Sequence, residues 1–210
     1  TYSGPGVRYR LSTSRPNAAM VPVGGLSWRD AARFCNWLHN EKSTDLSAIA
    51  DGAYDTTTFG TDSNGQFTDQ QAHHAAARFW IPTHDEWLKA AHYDPVLDRW
   101  WDYNNGTDTM PIPGVPGVGE ANHGFTLGGF AERYIPLASY PDTQSPWGLL
   151  DVAGGTLEWT ESTFESGAPG TFLRRRSMGS SYAGDVRGAF GGAFTILSPE
   201  PLISVTGLRV

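Results

Sequence analysis

Residues 145–160 of this 210-residue chain read Ser-Pro-Trp-Gly-Leu-Leu-Asp-Val-Ala-Gly-Gly-Thr-Leu-Glu-Trp-Thr. Other parts of the chain show the same kind of composition. Short apolar runs alternate with glycine, proline and aspartate, and each run is too short for a typical helix. Runs of this kind, bounded by turn residues, predict short strands at 147–151 and 156–160. The same pattern predicts strands at 171–182 and 204–210. We therefore expect a small sheet surrounded by loops.

Two capping boxes mark the segments with clear helical periodicity. Ser27 and Asp30 form the first, and apolar residues follow at helical spacing to about Asn40. Thr83 and Glu86 form the second, and its helix is expected to end before Asp94, which precedes a proline. These local signals predict two helices.

The long segments between these elements favour irregular structure. Residues 41–77 are rich in Asp, Thr, Ser and Gly, which indicates a surface excursion, and we predict one short helix at 69–77. Residues 102–146 combine an Asn-Gly pair with several prolines and predict an ordered loop. The chain has 25 glycines and 14 prolines, nearly a fifth of its residues, against a usual share of roughly an eighth. A helical bundle is therefore excluded.

The charge and hydropathy pattern excludes two classes of partner. Fifteen Lys and Arg stand against 22 Asp and Glu, for a formal net charge of −7, whereas nucleic-acid binding needs a basic face. No apolar run approaches the roughly 18 residues of a membrane-spanning helix. We expect neither a nucleic-acid partner nor a membrane span, and we treat residues 1–210 as a single domain.

Five segments resemble, in order, the motifs of the formylglycine-generating or sulfatase-modifying factor domain. They are Pro-Val…Leu-Ser-Trp-Arg-Asp-Ala…Phe-Cys-Asn-Trp-Leu (22–38), Ala-Arg-Phe-Trp-Ile-Pro-Thr…Glu-Trp…Ala-Ala (77–91), Ser-Pro-Trp-Gly-Leu-Leu-Asp-Val-Ala-Gly-Gly…Glu-Trp-Thr (145–160), Gly-Ser-Ser-Tyr (179–182) and Gly-Leu-Arg-Val (207–210). The resemblance covers about residues 21–210. It implies an α+β fold, a compact and loop-rich variant of the C-type lectin fold with two main helices and small antiparallel sheets.

The resemblance also implies structural roles and one difference from the family. It assigns Trp28, Trp37, Trp87 and Trp159 to the core or to loop anchors. Family members usually carry a further strand segment before the first helix, and only some twenty residues precede that helix here. We therefore expect that this segment has been removed or is supplied by another chain.

The catalytic cysteines of the family have no counterpart in this chain. In that family two cysteines after the Gly-Gly-Ser-aromatic motif bind copper, because soft Cu(I) favours thiolate ligands. Gly184 and Ala189 stand near those positions, and the single cysteine, Cys35, falls on the apolar stripe of the first helix. We expect no copper and a buried, structural thiol.

A second branch of the family uses non-haem iron held by three histidines, two of which belong to a helical domain that has no match here. A metal site that joins His73 or His74 to His123 across the fold is an alternative that the sequence leaves open.

A structural calcium site is a further implication of the resemblance. Family domains hold Ca²⁺ through a Gly-Asn-x-x-Glu turn, and calcium takes six to eight oxygen ligands. The corresponding residues here are Gly154, Gly155 and Glu158, and a second set would use Asn122 and Glu132. The alternative for Glu158 is a hydrogen bond to backbone amides of a turn.

Three features are candidates for ligand binding. Trp100 and Trp101 form an aromatic pair that suits stacking on a sugar, and Tyr182 and Arg187 follow the family's pocket motif. The run 174–176 is three arginines, which suit either an anion or a strand whose alternate arginines pair with surface acids.

We expect a catalytically inactive family member that serves as a secreted or cell-surface module and binds a protein or glycan partner or has a structural role. The few lysines, together with resemblance to secreted bacterial members, favour this reading. The alternatives are a metal-dependent oxidoreductase that uses iron or copper through an unrecognised ligand set, and a subunit of a surface assembly that contacts neighbouring copies.

Overall fold

The fold consists of two helices, a two-stranded hairpin and a four-stranded sheet. The computed structural model describes residues 17–124, 134–164, 174–182, 195–199 and 206–210. In chain order its elements are α1 (Trp28–His39), α2 (His84–His92), β1 (Tyr93–Asp94), β2 (Arg99–Trp100), β3 (Leu157–Phe164), β4 (Arg174–Met178), β5 (Thr195–Leu197) and β6 (Thr206–Gly207). Short 3₁₀ helices lie at Ala18–Met20, Leu46–Ile49 and Thr56–Thr58. No helix within these ranges is long and apolar enough to cross a membrane.

Both predicted helices and their capping boxes are confirmed. The Ser27 hydroxyl accepts a hydrogen bond from the Asp30 amide at 3.1 Å, and the Asp30 carboxylate accepts one from the Ser27 amide. Thr83 and Glu86 make the same reciprocal pair at the start of α2. After α2 the chain enters the antiparallel β1–β2 hairpin.

The larger sheet has the strand order β5-β4-β3-β6. β3 pairs antiparallel with β4, and β4 pairs antiparallel with β5. β6 pairs parallel with the start of β3. The strand predicted at 156–160 is thereby confirmed, and it extends to Phe164, with an irregular register between Trp159 and Thr163.

Two predicted elements are wrong. Residues 147–151 form no strand, because positive φ angles at Gly148 (78°) and Asp151 (59°) turn the chain, which leaves one isolated bridge between Gln144 and Leu150. Residues 69–77 form turns rather than a helix. The carbonyls of Gln70 and Gln71 accept hydrogen bonds from a distant arginine instead of from a helical turn.

Two other predicted strands are shorter than expected. Within 171–182 the strand occupies Arg174–Met178, and Gly179, with φ of 75°, ends it; residues 171–173 lie outside the described ranges. Within 204–210 the strand is Thr206–Gly207, and residues 204–205 lie outside the described ranges. The loop prediction for 102–146 is confirmed where the chain is described, since only isolated bridges occur there.

Aromatic side chains build the main core, as the resemblance implied. The buried Trp28 ring lies edge-on to Tyr54, with centroids 5.2 Å apart, and Trp159 belongs to the same cluster. Trp87 belongs to a second cluster with Val152 and other apolar residues of α2 and β4. Trp37 is only partly buried.

Arg175, at the centre of the basic run, is buried against this core. Its guanidinium lies 3.7 Å from the Trp28 ring centroid and donates to the carbonyls of Gln70, Gln71 and Glu161. Burial lowers its pKa to about 10, although nearby acids act in the opposite direction. The prediction that residues 174–176 lie on a strand is confirmed. The predicted pairing with surface acids is wrong for Arg175, because its guanidinium is buried and links the loop backbone to β3.

We predict that Arg175→Met destabilises the fold by about 3 kcal/mol, because three carbonyl groups lose their donor and that of Glu161 is left buried. Urea unfolding followed by tryptophan fluorescence measures the change. Arg174→Met is the matched control, since Arg174 is exposed on the same strand and should change stability by less than about 0.5 kcal/mol. Equal effects of the two variants would contradict the structural role of Arg175.

Candidate functional site

A cavity of about 770 Å³ lies beside the start of β3 and β6. Its walls come mainly from residues 21–26 with the first half of α1, residues 134–140, residues 151–158 and residues 207–210, and Asn122 and Tyr182 complete them. Most lining side chains are apolar, among them Val21, Phe34, Leu137 and Leu208. A concavity of this size and lining is typical of small-ligand sites.

A buried ion pair lies on one wall of the cavity. Glu158 on β3 accepts hydrogen bonds from the Arg209 guanidinium at 2.7 to 3.0 Å and from the Trp87 indole at 2.6 Å. Arg209 also donates to the Asp151 carbonyl at 3.2 Å. The charges of Glu158 and Asp151 raise the pKa of Arg209 despite its burial. The carboxylate therefore joins α2, β3 and the residues after β6.

The turn next to this pair requires glycine. Gly154 has φ of 91° and lies beside the backbone of Asn122, where an added Cβ would collide with the Asn122 carbonyl. The Gly155 amide donates to that carbonyl at 2.7 Å, and the Gly155 carbonyl accepts from the Tyr182 amide at 3.0 Å. These bonds hold three separate segments together at the cavity wall.

The structure brings together most of the site residues that the sequence singled out for calcium and for the pocket. The ones that line the cavity are Asn122, Gly154, Gly155, Glu158 and Tyr182. Glu132 and Arg187 lie outside the described residues. The sequence reasoning did not assign Arg209 or Asp30 to the site, although both line the cavity and both stand inside family-like motifs.

The aromatic pair lies on the β1–β2 hairpin and does not line the cavity. Trp100 is 55% exposed, and its ring packs against Tyr93 with centroids 5.2 Å apart. The Arg99 guanidinium covers the Trp101 ring at 3.7 Å. Trp100 thus presents a single exposed ring, and its use as a sugar platform stays a prediction.

Glu158, the acid of the first proposed calcium site, does not suit that ion as its contacts are arranged. Both carboxylate oxygens of Glu158 already accept hydrogen bonds, and the positive charge of Arg209 lies within 3 Å of them. Calcium needs several oxygen ligands with net negative charge, and a guanidinium at this distance repels it. The alternative for Glu158 was a role as hydrogen-bond acceptor. These contacts agree with that role, although the donors are an indole and a guanidinium rather than backbone amides.

The thiol and histidines considered for metal binding have other partners. Cys35 is fully buried in the core with Trp28 and Ala31, and burial raises its pKa to about 12. His73 binds Glu161 through Nδ1 at 2.9 Å, while His123 binds the carbonyl of Pro111. Across the described ranges, no three His, Cys, Asp or Glu side chains form a cluster that could hold a metal.

Comparison with known proteins gives a match over nearly the whole chain. A family model described as the sulfatase-modifying factor enzyme 1-like domain matches residues 5–210. Two hercynine oxygenases are similar over 96 residues, one from Mycolicibacterium smegmatis at 33% identity and one from Mycolicibacterium thermoresistibile at 34%. The aligned part is 46% of this chain but 20% and 19% of those proteins, so the chain spans about a fifth of the curated relatives that it matches.

Two solved structures share the fold. A crystal structure of CarF superposes with a TM-score of 0.62 at 22% identity, covering 93% of this chain and 69% of that one. Treponema denticola variable protein 1 gives a TM-score of 0.57 at 18% identity, covering 95% of this chain and 73% of that one. At these identities the likeness shows the fold alone. The α+β fold class implied by the motifs is confirmed.

We predict that Glu158 and Arg209 are strongly coupled. Glu158→Gln should cost about 2 kcal/mol of unfolding free energy and Arg209→Met about 3 kcal/mol, because each leaves a partly buried partner without its counter-charge. The double variant should lose at least about 1 kcal/mol less than the sum of the single losses. Urea unfolding of the unmodified protein, the two single variants and the double variant measures this double-mutant cycle. Losses of unfolding free energy that simply add would contradict the coupling.

We predict that calcium does not stabilise the protein. Calcium sites of extracellular modules bind the ion at about 1 mM or below. Because Arg209 neutralises Glu158, the melting temperature in about 1 mM Ca²⁺ should equal the melting temperature in EDTA. Differential scanning calorimetry measures the effect, with Mg²⁺ at the same ionic strength as the control. A calcium-specific rise in melting temperature that Glu158→Gln abolishes would restore the calcium site implied by the resemblance.

Proposed function

The chain belongs to the family of sulfatase-modifying factor enzyme 1-like domains, and on that premise we propose that it binds a ligand in the cavity without catalysing the family's oxidation. The observation that carries the proposal is the separation of the cavity from the chain's single thiol. Cys35 lies in the core cluster, whereas the cavity is lined by apolar groups, tyrosines, acids and one guanidinium.

The chemistry of Cys35 supports the absence of thiolate catalysis. A thiol that acts as a copper ligand or nucleophile must be accessible and must ionise easily. Cys35 is 0% exposed, and desolvation together with the charge of Glu161 raises its pKa to about 12. Its packing against Trp28 gives it the role of a small apolar side chain.

The walls of the cavity support a binding role. They combine apolar side chains with a few fixed polar groups, the arrangement by which proteins orient small ligands. Glu158 and Tyr182 are buried, and hydrogen bonds fix the segments that carry them. A preformed wall of this kind lowers the entropic cost of ordering a site when a ligand binds.

The setting of this binding function remains a prediction from the sequence. A secreted or cell-surface location, a protein or glycan partner and a place in a surface assembly follow from the resemblance to secreted bacterial members. The exposed ring of Trp100 is the described feature that suits a glycan best, because a sugar ring stacks on an exposed aromatic face.

A second candidate function is a metal-dependent oxidoreductase. The similarity to two hercynine oxygenases favours it, although the aligned part covers about a fifth of those proteins. A metal would need ligands that the described residues do not bring together, or ligands from elsewhere in a longer protein or an assembly.

Metal loading and turnover separate the two functions. The protein is incubated with Cu(I) or Fe(II), freed of excess metal, analysed by elemental mass spectrometry and tested for oxygen consumption with a cysteine-containing peptide. We expect metal well below one equivalent and no turnover, because the thiol is buried and no ligand cluster is described. Cys35→Ala is the matched control and should behave identically. Stoichiometric metal with turnover would overturn the binding proposal in favour of the oxidoreductase.

A further inference from the structure

We infer that the cavity takes a small organic cation, an apolar molecule that carries one ammonium or guanidinium group. This inference rests on the proposed binding function and names the ligand class of the same site. It follows from the charges around the cavity, from the apolar character of its walls and from the particular position of Asp151.

The charged side chains that line the cavity give it a negative potential. Among the described lining residues they are Asp30, Asp151, Glu158 and Arg209, three acids against one base. Arg209 is paired with Glu158, and Arg33 lies 3.5 Å from Asp30, so among the described residues the lining acid left in excess is Asp151. The chain as a whole carries a formal net charge of −7, which adds to this local field. An anionic ligand would therefore be repelled from the cavity.

Asp151 is the acid best placed to receive a cation. One of its carboxylate oxygens accepts a hydrogen bond from the Ala138 amide at 2.8 Å, which fixes the side chain at the cavity wall. Its negative charge reaches the neighbouring groups: together with burial it raises the pKa of Tyr140 to about 12, and it helps to raise the pKa of Arg209. The carboxylate thus acts on the cavity interior.

The rest of the lining selects a ligand with an apolar body. Val21, Phe34 and Leu137 contribute hydrocarbon surface, and Tyr140 and Tyr182 contribute aromatic rings. Burial of hydrocarbon supplies affinity, while aromatic faces attract cations. A small inorganic cation would gain nothing from such walls, and a neutral apolar ligand would gain nothing from the charge of Asp151.

Asp151→Asn is a sharp test of the charge. Asp151 has φ of 59°, a left-handed conformation that asparagine adopts readily, and the amide oxygen can still accept from Ala138. Asp62→Asn is the matched control, because Asp62 lies in an exposed turn outside the cavity lining and its oxygen accepts from two backbone amides. Both variants remove one negative charge.

The probes are hexylammonium, 1-hexanol and hexanoate, which share one chain length and differ in charge. NMR titration up to about 10 mM covers the weak affinities expected of such small probes. We expect hexylammonium to bind tightest and hexanoate weakest. Asp151→Asn should weaken hexylammonium binding about five-fold, the effect of one charge at 4 Å in water, and Asp62→Asn should not.

The outcomes distinguish the ligand class from the binding function. If hexanol or hexanoate binds as well as hexylammonium, or if the two variants behave alike, the inference is overturned while the cavity remains a binding site. If none of the three probes shifts any resonance of cavity residues, the binding function fails together with the inference. Preferential binding of hexylammonium that weakens about five-fold in Asp151→Asn and not in Asp62→Asn supports both.

Discussion

The ion pair between Glu158 and Arg209 is the constraint from which the arrangement of the site follows. Glu158 lies on β3, is only 6% exposed and carries a charge that burial makes costly. Its counter-charge comes from Arg209, two residues after β6, and its remaining hydrogen bond comes from Trp87 of α2. Satisfying one carboxylate therefore requires β6 to pair with the start of β3 and requires α2 to lie against the sheet. The cavity forms where these elements meet.

A second buried acid, three residues further along β3, also joins distant segments of the chain. Glu161 is also buried, and it accepts hydrogen bonds from the Tyr54 hydroxyl at 2.8 Å and from the His73 amide at 2.6 Å. Arg175 then uses the carbonyls of the same loop. Buried polar groups on the sheet thereby organise long connections that form little regular structure of their own. This explains how a chain with so much glycine and proline keeps ordered loops, since each loop is fixed by specific partners rather than by repeating backbone bonds.

The sequence predicted those features whose causes are local. Capping boxes predicted the first residue of both helices, because a cap depends on neighbours three positions apart. The failure at 69–77 has a distant cause, namely Arg175 on β4, whereas the failure at 147–151 is local and comes from turns at Gly148 and Asp151, whose positive φ angles an apolar run does not reveal. For the site, motif resemblance covered both Glu158 and Arg209 but did not pair them, because they are distant in sequence. The requirement that a buried acid needs a cation was the physical signal that could have identified the pair.

The residues that build the core differ from most of the residues that surround the cavity. The motif positions that mark the family, such as Trp28, Trp87 and Trp159, are core residues whose burial builds the fold whatever the cavity contains. Cys35 belongs with them, since it packs like an apolar side chain. By contrast, Asp151 and several apolar groups around the cavity, such as Val21 and Leu137, belong to neither core cluster, and the Asp151 carboxylate accepts a hydrogen bond from the Ala138 amide. The fold can therefore be shared at 18 to 22% identity without requiring the same residues around the cavity.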